Sequence, residues 1–332
     1  MAWPTWQQAA MATVAMLAVA ALGRWRERAW SGGAVGSSGL AGPAAPAGAP
    51  SPIGGVDRLG LRAWRVVVAA ALELALISFL YGLWRLARQL PLSHEQGAYQ
   101  RGRWIYQAQR WLHLPSELSM ERLAMHHRWL GQFTVDYYAT VHVPALIGFL
   151  IWLYVRHRDA YPRWRNGLAI TTGFCLFIRF LRVAPPRLLP EYGFIDLPAR
   201  MGRDIYGPVG TGASDQFAAM PSIHIAWAAV VAFGVWAAAR RPDGTPSRWR
   251  WIGPAHLVAT FWAVMATANH WWLDGLVAMA LLGIALAIDD AVRRRLAPCR
   301  LAPGGVAPDP DHADPEPRAE VPLPWGGGAR GS

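Results

Sequence analysis

The chain has 332 residues, 53% of them hydrophobic and only 16% charged, with 19 tryptophans, where a soluble domain carries about a quarter charged residues. That balance is too apolar for a soluble globular domain and describes a polytopic membrane protein. The net charge of +11 comes wholly from arginine, since no lysine occurs, and the arginines gather in short loops between apolar runs, a pattern of membrane topology rather than of a nucleic-acid-binding face.

Seven apolar runs have the length that carries a helix across about 30 Å of hydrocarbon. They lie near 7–23, 64–84, 136–155, 165–183, 222–239, 251–268 and 270–290, and they predict an all-α fold, a polytopic membrane helical bundle. Residues 1–30 read as an N-terminal transmembrane anchor. A cleaved signal peptide is the alternative, but no basic region precedes the run, and Arg24, Arg26 and Arg28 follow it. Residues 31–57, built mainly of Gly, Ala, Pro and Ser, read as a flexible linker. Residues 58–296 form the membrane-embedded domain that carries the chemistry, and 297–332, rich in Pro, Gly and Asp, read as a disordered tail. Two cysteines, Cys175 and Cys299, are too few for a disulfide framework or a cysteine-based zinc site.

The densest basic stretches are Arg24–Arg28 with Arg58, Arg62 and Arg65, then Arg156–Arg165, Arg240–Arg250 and Arg293–Arg295. Every second loop is therefore basic, and cytoplasmic loops carry the excess of arginine. The amino terminus is expected outside, the carboxyl terminus in the cytoplasm, and loops 85–135 and 184–221 on the extracytoplasmic side. Loop 85–135 interleaves arginines with Trp104, Ile105, Trp111, Leu112, Leu114 and Leu118, which fits either a helix lying among headgroups or an ordered loop over the bundle. Trp3, Trp6, Trp64, Trp84, Trp251, Trp271 and Trp272 fall near helix ends, where indoles anchor at the interface. Only Trp271 and Trp272 sit where they also reach a substrate.

The chemistry concentrates at Met220-Pro221-Ser222-Ile223-His224 and His270-Trp271-Trp272-Leu273-Asp274. His270 and Asp274 are spaced to share one helix face, so the carboxylate can fix the imidazole tautomer and leave one nitrogen as a nucleophile. His270 opens a helix, whose N–H groups and dipole favour phosphate. His224 has no carboxylate beside it in sequence and suits a general acid on a leaving oxygen. Fixed positive charge comes from Arg179, Arg182 and Arg187, with Ser222 as a further phosphate ligand. Arg182 also suits snorkelling toward headgroups, Arg179 lies deep in an apolar helix, and Arg187 follows two prolines that stiffen its segment. A metal on His224, His270 and Asp274 would be repelled by these arginines, so no metal or cofactor is expected.

At these residues the chain resembles the type 2 phosphatidic acid phosphatase superfamily, over roughly residues 130–290, and within it the branch that includes inositol phosphorylceramide synthase. The superfamily pattern is Lys-x6-Arg-Pro, Pro-Ser-Gly-His and Ser-Arg-x5-His-x3-Asp. Ala184-Pro185-Pro186-Arg187 corresponds loosely to the first motif, Pro221-Ser222-Ile223-His224 to the second and Asn269-His270-x3-Asp274 to the third. The resemblance implies a six-helix core, here with one added N-terminal transmembrane helix, and lipid phosphate substrates. It implies a metal-independent phosphohistidine mechanism with His270 as nucleophile, His224 as acid and Asp274 as orienting group. Two positions depart from the pattern: Ala263-Val264 stands for Ser-Arg, and Ile223 for glycine. Both departures resemble the synthase branch, as does Tyr137-Tyr138-Ala139-Thr140-Val141-His142, which makes Tyr138 and His142 candidates for the pocket together with Trp271. The plainer role for His142 is an interhelical hydrogen bond.

The function so expected is a lipid phosphatase or phosphotransferase acting at the extracytoplasmic face on a membrane lipid phosphate or phosphodiester, with transfer to water or to an alcohol. The alternative is a non-catalytic bundle that binds or transports an anionic lipid headgroup. The Ala-, Arg-, Gly- and Pro-rich, lysine-free composition points to a high-GC bacterial genome and so to the plasma membrane.

Overall fold

A computed structural model describes residues 4–33, 53–87, 97–203, 216–241 and 243–296. The centre of the expected linker and the tail from 297 lie outside the described residues. By its contacts the chain divides into Met1–Asp290 and Ala291–Ser332; of the second, only the last residues of the final helix are described.

Among the described residues the fold is all-α, with no strands. Its helices are α1 (Trp6–Gly33), α2 (Ile53–Ala87), α3 (Ala98–Trp111), α4 (Glu117–His126), α5 (Arg128–Thr140), α6 (His142–Arg156), α7 (Tyr161–Ile178), α8 (Leu197–Arg200), α9 (Ile223–Ala238), α10 (Ile252–Ala266) and α11 (Trp272–Leu296). Each of the seven apolar runs forms helix. The stretches Trp6–Arg26, Ala63–Ala87 and Trp272–Leu296 are long and apolar enough to cross a membrane, and α5 with α6 makes a fourth if the bent pair is one span.

The expected run 136–155 is broken by a 52° bend between α5 and α6. Pro144 explains the break: its ring has no N–H to donate and collides with the carbonyl four residues earlier, that of Thr140. Tyr137, Tyr138 and His142 are thereby gathered around the bend. α9 and α10 lie within two residues of the runs that predicted them at each end, and the chain builds polar turns just before α9 and just after α10. Irregular backbone of this kind is tolerated at membrane depth where it lines a site.

α9 is apolar on every side, the mark of a helix enclosed by others, and it packs against α6, α7 and α10. Its Ala229, Val230 and Val231 share a core with Leu146, Phe149 and Leu153 of α6, Tyr161 and Trp164 of α7, and Leu282 of α11. A second cluster, Tyr138, Cys175, Ile225, Ala226, Ala263, Val264 and Ala278, lies against the site. Gly275 allows the close approach there, since a Cβ on it would stand 2.6 Å from Ile225 and Phe261.

α1 packs along α2. Trp64 Nε1 donates to Gly23 O at 2.9 Å, and the Tyr81 hydroxyl donates to Pro4 O at 3.0 Å. α2 is in turn joined to α7 by the Arg165–Glu73 ion pair. Asn166 and Arg163 of α7 bind Asp289 and Asp290 near the far end of α11. The polar turns that carry the histidines lie at the other end of α11.

The loop 85–135 contains α3, α4 and the start of α5. α3 buries Ala98, Gly102 and Gln109 against the protein and exposes Trp104 and Trp111. Gly102 is required there, because a Cβ would stand 2.9 Å from the carbonyl of Ala184.

Candidate active site

Two irregular segments, 183–189 and 216–222, meet the turn between α10 and α11. Val183 N donates to Phe217 O and Ala219 N to Val183 O, so the segments pair over one short parallel bridge. Arg187 N donates to Ala268 O at 2.9 Å, and Trp271 Nε1 to Ala184 O at 3.0 Å. The Met220–Pro221 peptide is cis.

The turn that presents His270 is a helix-ending motif. Ala268 N donates to Met265 O and Asn269 N to Val264 O, the two bonds that close a Schellman end. Its left-handed position is usually glycine, but here Ala268 holds it at φ 53°. Strain in a non-glycine residue at such a φ is found where surrounding contacts fix it, often at functional sites. Asn269 is then held on both sides: its Nδ2 donates to Thr267 Oγ1 at 2.9 Å, and its Oδ1 accepts from Arg187 Nε at 2.9 Å.

His270 is buried, with Nδ1 2.7 Å from the carbonyl of Ala219 and 3.5 Å from Asp274 Oδ2. A carbonyl only accepts, so Nδ1 carries the proton and Nε2 of the neutral ring is left with its lone pair. That Nε2 faces His224 Nδ1 at 3.4 Å. The anchor nearer to Nδ1 is therefore a backbone carbonyl, and the carboxylate of Asp274, expected from the sequence to fix the ring, stands behind it. Asp274 is fully buried, accepts Trp271 N–H at 2.7 Å through Oδ2, and has no hydrogen-bond partner at Oδ1.

The N–H groups that open α11, which the sequence reading offers to phosphate, are taken by side chains of the protein. Asp274 takes that of Trp271, Glu117 Oε1 that of Trp272 at 3.3 Å, and Gln109 Oε1 that of Leu273 at 3.0 Å. Gln109 Nε2 donates to Glu117 Oε1 at 2.7 Å, which joins α3 and α4 into a buried clamp on the first turn of α11. Burial pushes the Glu117 carboxyl above its ordinary value, against the lowering pull of these donors. Glu121 is raised in the same way by burial while it accepts from Ile195 N and Leu197 N.

Of the three arginines, Arg187 is bonded to Asn269, the neighbour of His270. Its side chain is 5% exposed, with Nη1 3.8 Å from Asp196 Oδ2 and Nη2 donating to Gln216 Oε1 at 3.2 Å. Arg179 donates to Ala87 O at the end of α2. Arg182 lays its guanidinium over Phe217, 5.0 Å from the ring centre, and its carbonyl is held by Arg101 Nε. Ser222 serves as the N-cap of α9, where Oγ accepts from Ile225 N at 3.4 Å. Trp271 is fully buried in the cluster with Val183, Leu189 and Phe194. It is a core residue, neither an interface anchor nor a pocket wall, because its indole N–H is satisfied by Ala184 O.

Tyr138 and His142 do reach the site: their ring centres lie 4.7 and 4.9 Å from that of His224. Behind them is His256 of α10, whose Nδ1 is 2.7 Å from the Tyr137 hydroxyl. Sequence reading passed over His256, although an ionisable residue inside an apolar helix is itself a signal. It also assigned no role to Gln109, Glu117, Asp196, Gln216 or Asn269, and no local motif marks them.

A family model described as the PAP2 superfamily matches residues 103–288. The match includes α3 from Arg103, all of α4 and every residue of the site described above except Ala87 and Arg101. No curated protein and no solved structure matches the chain significantly.

Proposed function

The chain belongs to the PAP2 superfamily, a phosphatase-type superfamily of phosphatases and phosphotransferases, and from that premise we propose an integral-membrane enzyme acting on a lipid phosphoester through a phosphohistidine on His270. The observation that carries the proposal is the fixed tautomer of His270, with Nδ1 held by Ala219 O and Nε2 turned toward His224. In the first half-reaction Nε2 attacks phosphorus, the bond from phosphorus to the leaving oxygen breaks, and His224 gives that oxygen its proton. Asp274 stabilises the positive charge that develops on the His270 ring. Arg187, buried beside Asn269, offers the guanidinium fork that fits phosphoryl oxygens.

In the second half-reaction the phosphoryl group passes to water or to an alcohol. Transfer to an alcohol, as in the inositol phosphorylceramide synthase-like branch, draws support from Ala263 and Val264. These stand where the superfamily pattern has Ser-Arg, and both are fully buried in apolar core, so the phosphate relies on Arg187. The arginine pattern supports an extracytoplasmic site with the carboxyl terminus in the cytoplasm, and the lysine-free, Ala-, Arg-, Gly- and Pro-rich composition supports a bacterial plasma membrane.

The test is incubation of purified wild type and His270→Ala with a panel of labelled lipid phosphates and phosphodiesters in EDTA, with products identified by mass spectrometry. Free phosphate or a new phosphoester from wild type alone is expected. No product from any donor, or equal activity in the variant, overturns the proposal.

A further inference from the structure

His142 is a buried polar group that the mechanism above leaves unused. It is 4% exposed, and both ring nitrogens are buried without a hydrogen-bond partner among the described residues. A buried polar atom left unpaired carries its full desolvation cost, and ionisable groups inside a membrane bundle are kept for function. The rings around it are Tyr137, Tyr138, His224 and His256, none with a fixed charge. The cluster runs from His224 to His256, in the first half of α10 and away from the turn that carries His270. The fixed positive charge, Arg187, is instead bonded to Asn269, the neighbour of His270.

The two sides of the histidine pair thus have different chemistry. Arginine and carboxamides next to Asn269 suit the oxygens of a phosphoryl group. Imidazoles and phenols next to His142, none with a fixed charge, suit a neutral group that both donates and accepts hydrogen bonds, which is what a hydroxyl does. We propose that His142, backed by the Tyr137–His256 pair, forms a second subsite that holds the neutral hydroxyl, of water or of an alcohol, that takes the phosphoryl group from His270.

The inference rests on the phosphohistidine reading and deepens it. After the first half-reaction His224 has given up its proton and can accept one. The hydroxyl held against His142 passes its proton to His224, and its oxygen forms the new bond to phosphorus. The bond from phosphorus to His270 Nε2 breaks, and the electron pair returns to that nitrogen. His224 is then protonated for the next turnover.

The experiment is rapid-quench kinetics on the full chain in nanodiscs, with phosphate-labelled dioctanoyl phosphatidate as the first donor and any faster donor from the panel above in its place. Formation and decay of phosphohistidine are followed separately in wild type, His142→Phe, His142→Gln and His256→Phe, with and without glycerol. His142→Phe is expected to slow decay at least tenfold more than formation, so that phosphoenzyme accumulates. His142→Gln, which still hydrogen-bonds, is expected to recover most of the decay rate, and His256→Phe to shift it in the same direction by less. If His142→Phe aggregates, His142→Gln and His256→Phe carry the comparison.

Glycerol separates the sources of the hydroxyl. Saturable glycerol phosphate, reduced by His142→Phe, identifies an alcohol, whereas free phosphate at a rate that glycerol leaves alone identifies water. Equal slowing of formation and decay, or no rescue by glutamine, overturns the subsite and leaves the phosphohistidine reading standing. A wild type that forms no phosphohistidine with any donor overturns that reading and the subsite with it.

Discussion

Nε2 of His270 faces Nδ1 of His224 across 3.4 Å, and the carbonyl of Ala219 on the far side of the His270 ring decides which nitrogen carries its proton. The nucleophile and the acid are thus defined by one hydrogen-bonded line, Ala219 O to His270 to His224. If His224 is the acid, its removal matters only where the leaving oxygen needs a proton. His224→Ala is expected to slow release of an alkyl alcohol by about 10²- to 10⁴-fold. Formation of phosphohistidine from p-nitrophenyl phosphate should change far less, because p-nitrophenolate leaves unprotonated. The check is the single-turnover rate of phosphohistidine formation across a series of leaving groups, and an equal loss for all of them would remove His224 from that role.

Asp274→Asn tests how much of the tautomer control belongs to the carboxylate. Where an aspartate alone orients the histidine of a serine-protease triad, the same change costs roughly 10⁴-fold. Here Ala219 O is nearer to Nδ1, at 2.7 Å against 3.5 Å for Asp274, so the ring keeps its tautomer when the charge is removed. The expected loss in kcat is about 10- to 100-fold, the part due to stabilising the imidazolium. Single-turnover kinetics should show that loss in the formation of phosphohistidine.

The helices were legible in the sequence because apolar length and periodicity survive folding. The bend between α5 and α6 was less so, since the apolar run 136–155 continues through Pro144 and its length alone does not show the break. His270 and Asp274 were found because a His-x3-Asp spacing reads as chemistry, and His224 because it follows Pro-Ser at the mouth of an apolar run. The supports behind them lie far away in sequence. Glu117 and Gln109 reach α11 from helices more than a hundred residues earlier, and nothing local distinguishes them from surface residues. The Schellman turn that presents His270 was invisible for a different reason: alanine occupies the left-handed position where glycine would have signalled it.

Arg187 makes a demand that charge alone does not meet. Its Nε and Nη2 bind Asn269 and Gln216, which aims the planar fork, and a lysine has no second arm to be held while the first binds phosphate. Arg187→Lys is expected to lower kcat/KM about 100-fold, or roughly 2.7 kcal/mol of transition-state stabilisation, and Arg187→Gln to lower it further. Steady-state kinetics on the best donor of the panel decides this. A lysine variant close to wild type would mean that only positive charge is needed.

The buried clamp on α11 gives the protein a pH dependence of defined sign. Burial raises the carboxyls of Glu117 and Glu121 above their ordinary 4.5. A carboxyl raised in this way favours the folded state below its unfolded pKa, and that advantage is lost as pH rises through the folded value. Thermal unfolding in nanodiscs should therefore show stability falling from about pH 4.5 toward neutrality on account of these two groups. Glu117→Gln keeps an oxygen for Trp272 N–H and the Gln109 amide while removing the buried charge, so the slope should flatten. Glu117→Ala removes the acceptor itself and should cost about 1–3 kcal/mol at every pH, the penalty for burying unpaired donors. An unaltered slope in Glu117→Gln would show that the Glu117 carboxyl is not a source of the pH dependence. A clamp that only stabilises would leave kcat alone, whereas one that also aims His270 and Asp274 should lose about tenfold in kcat in Glu117→Ala, measured at a temperature where the variant stays folded.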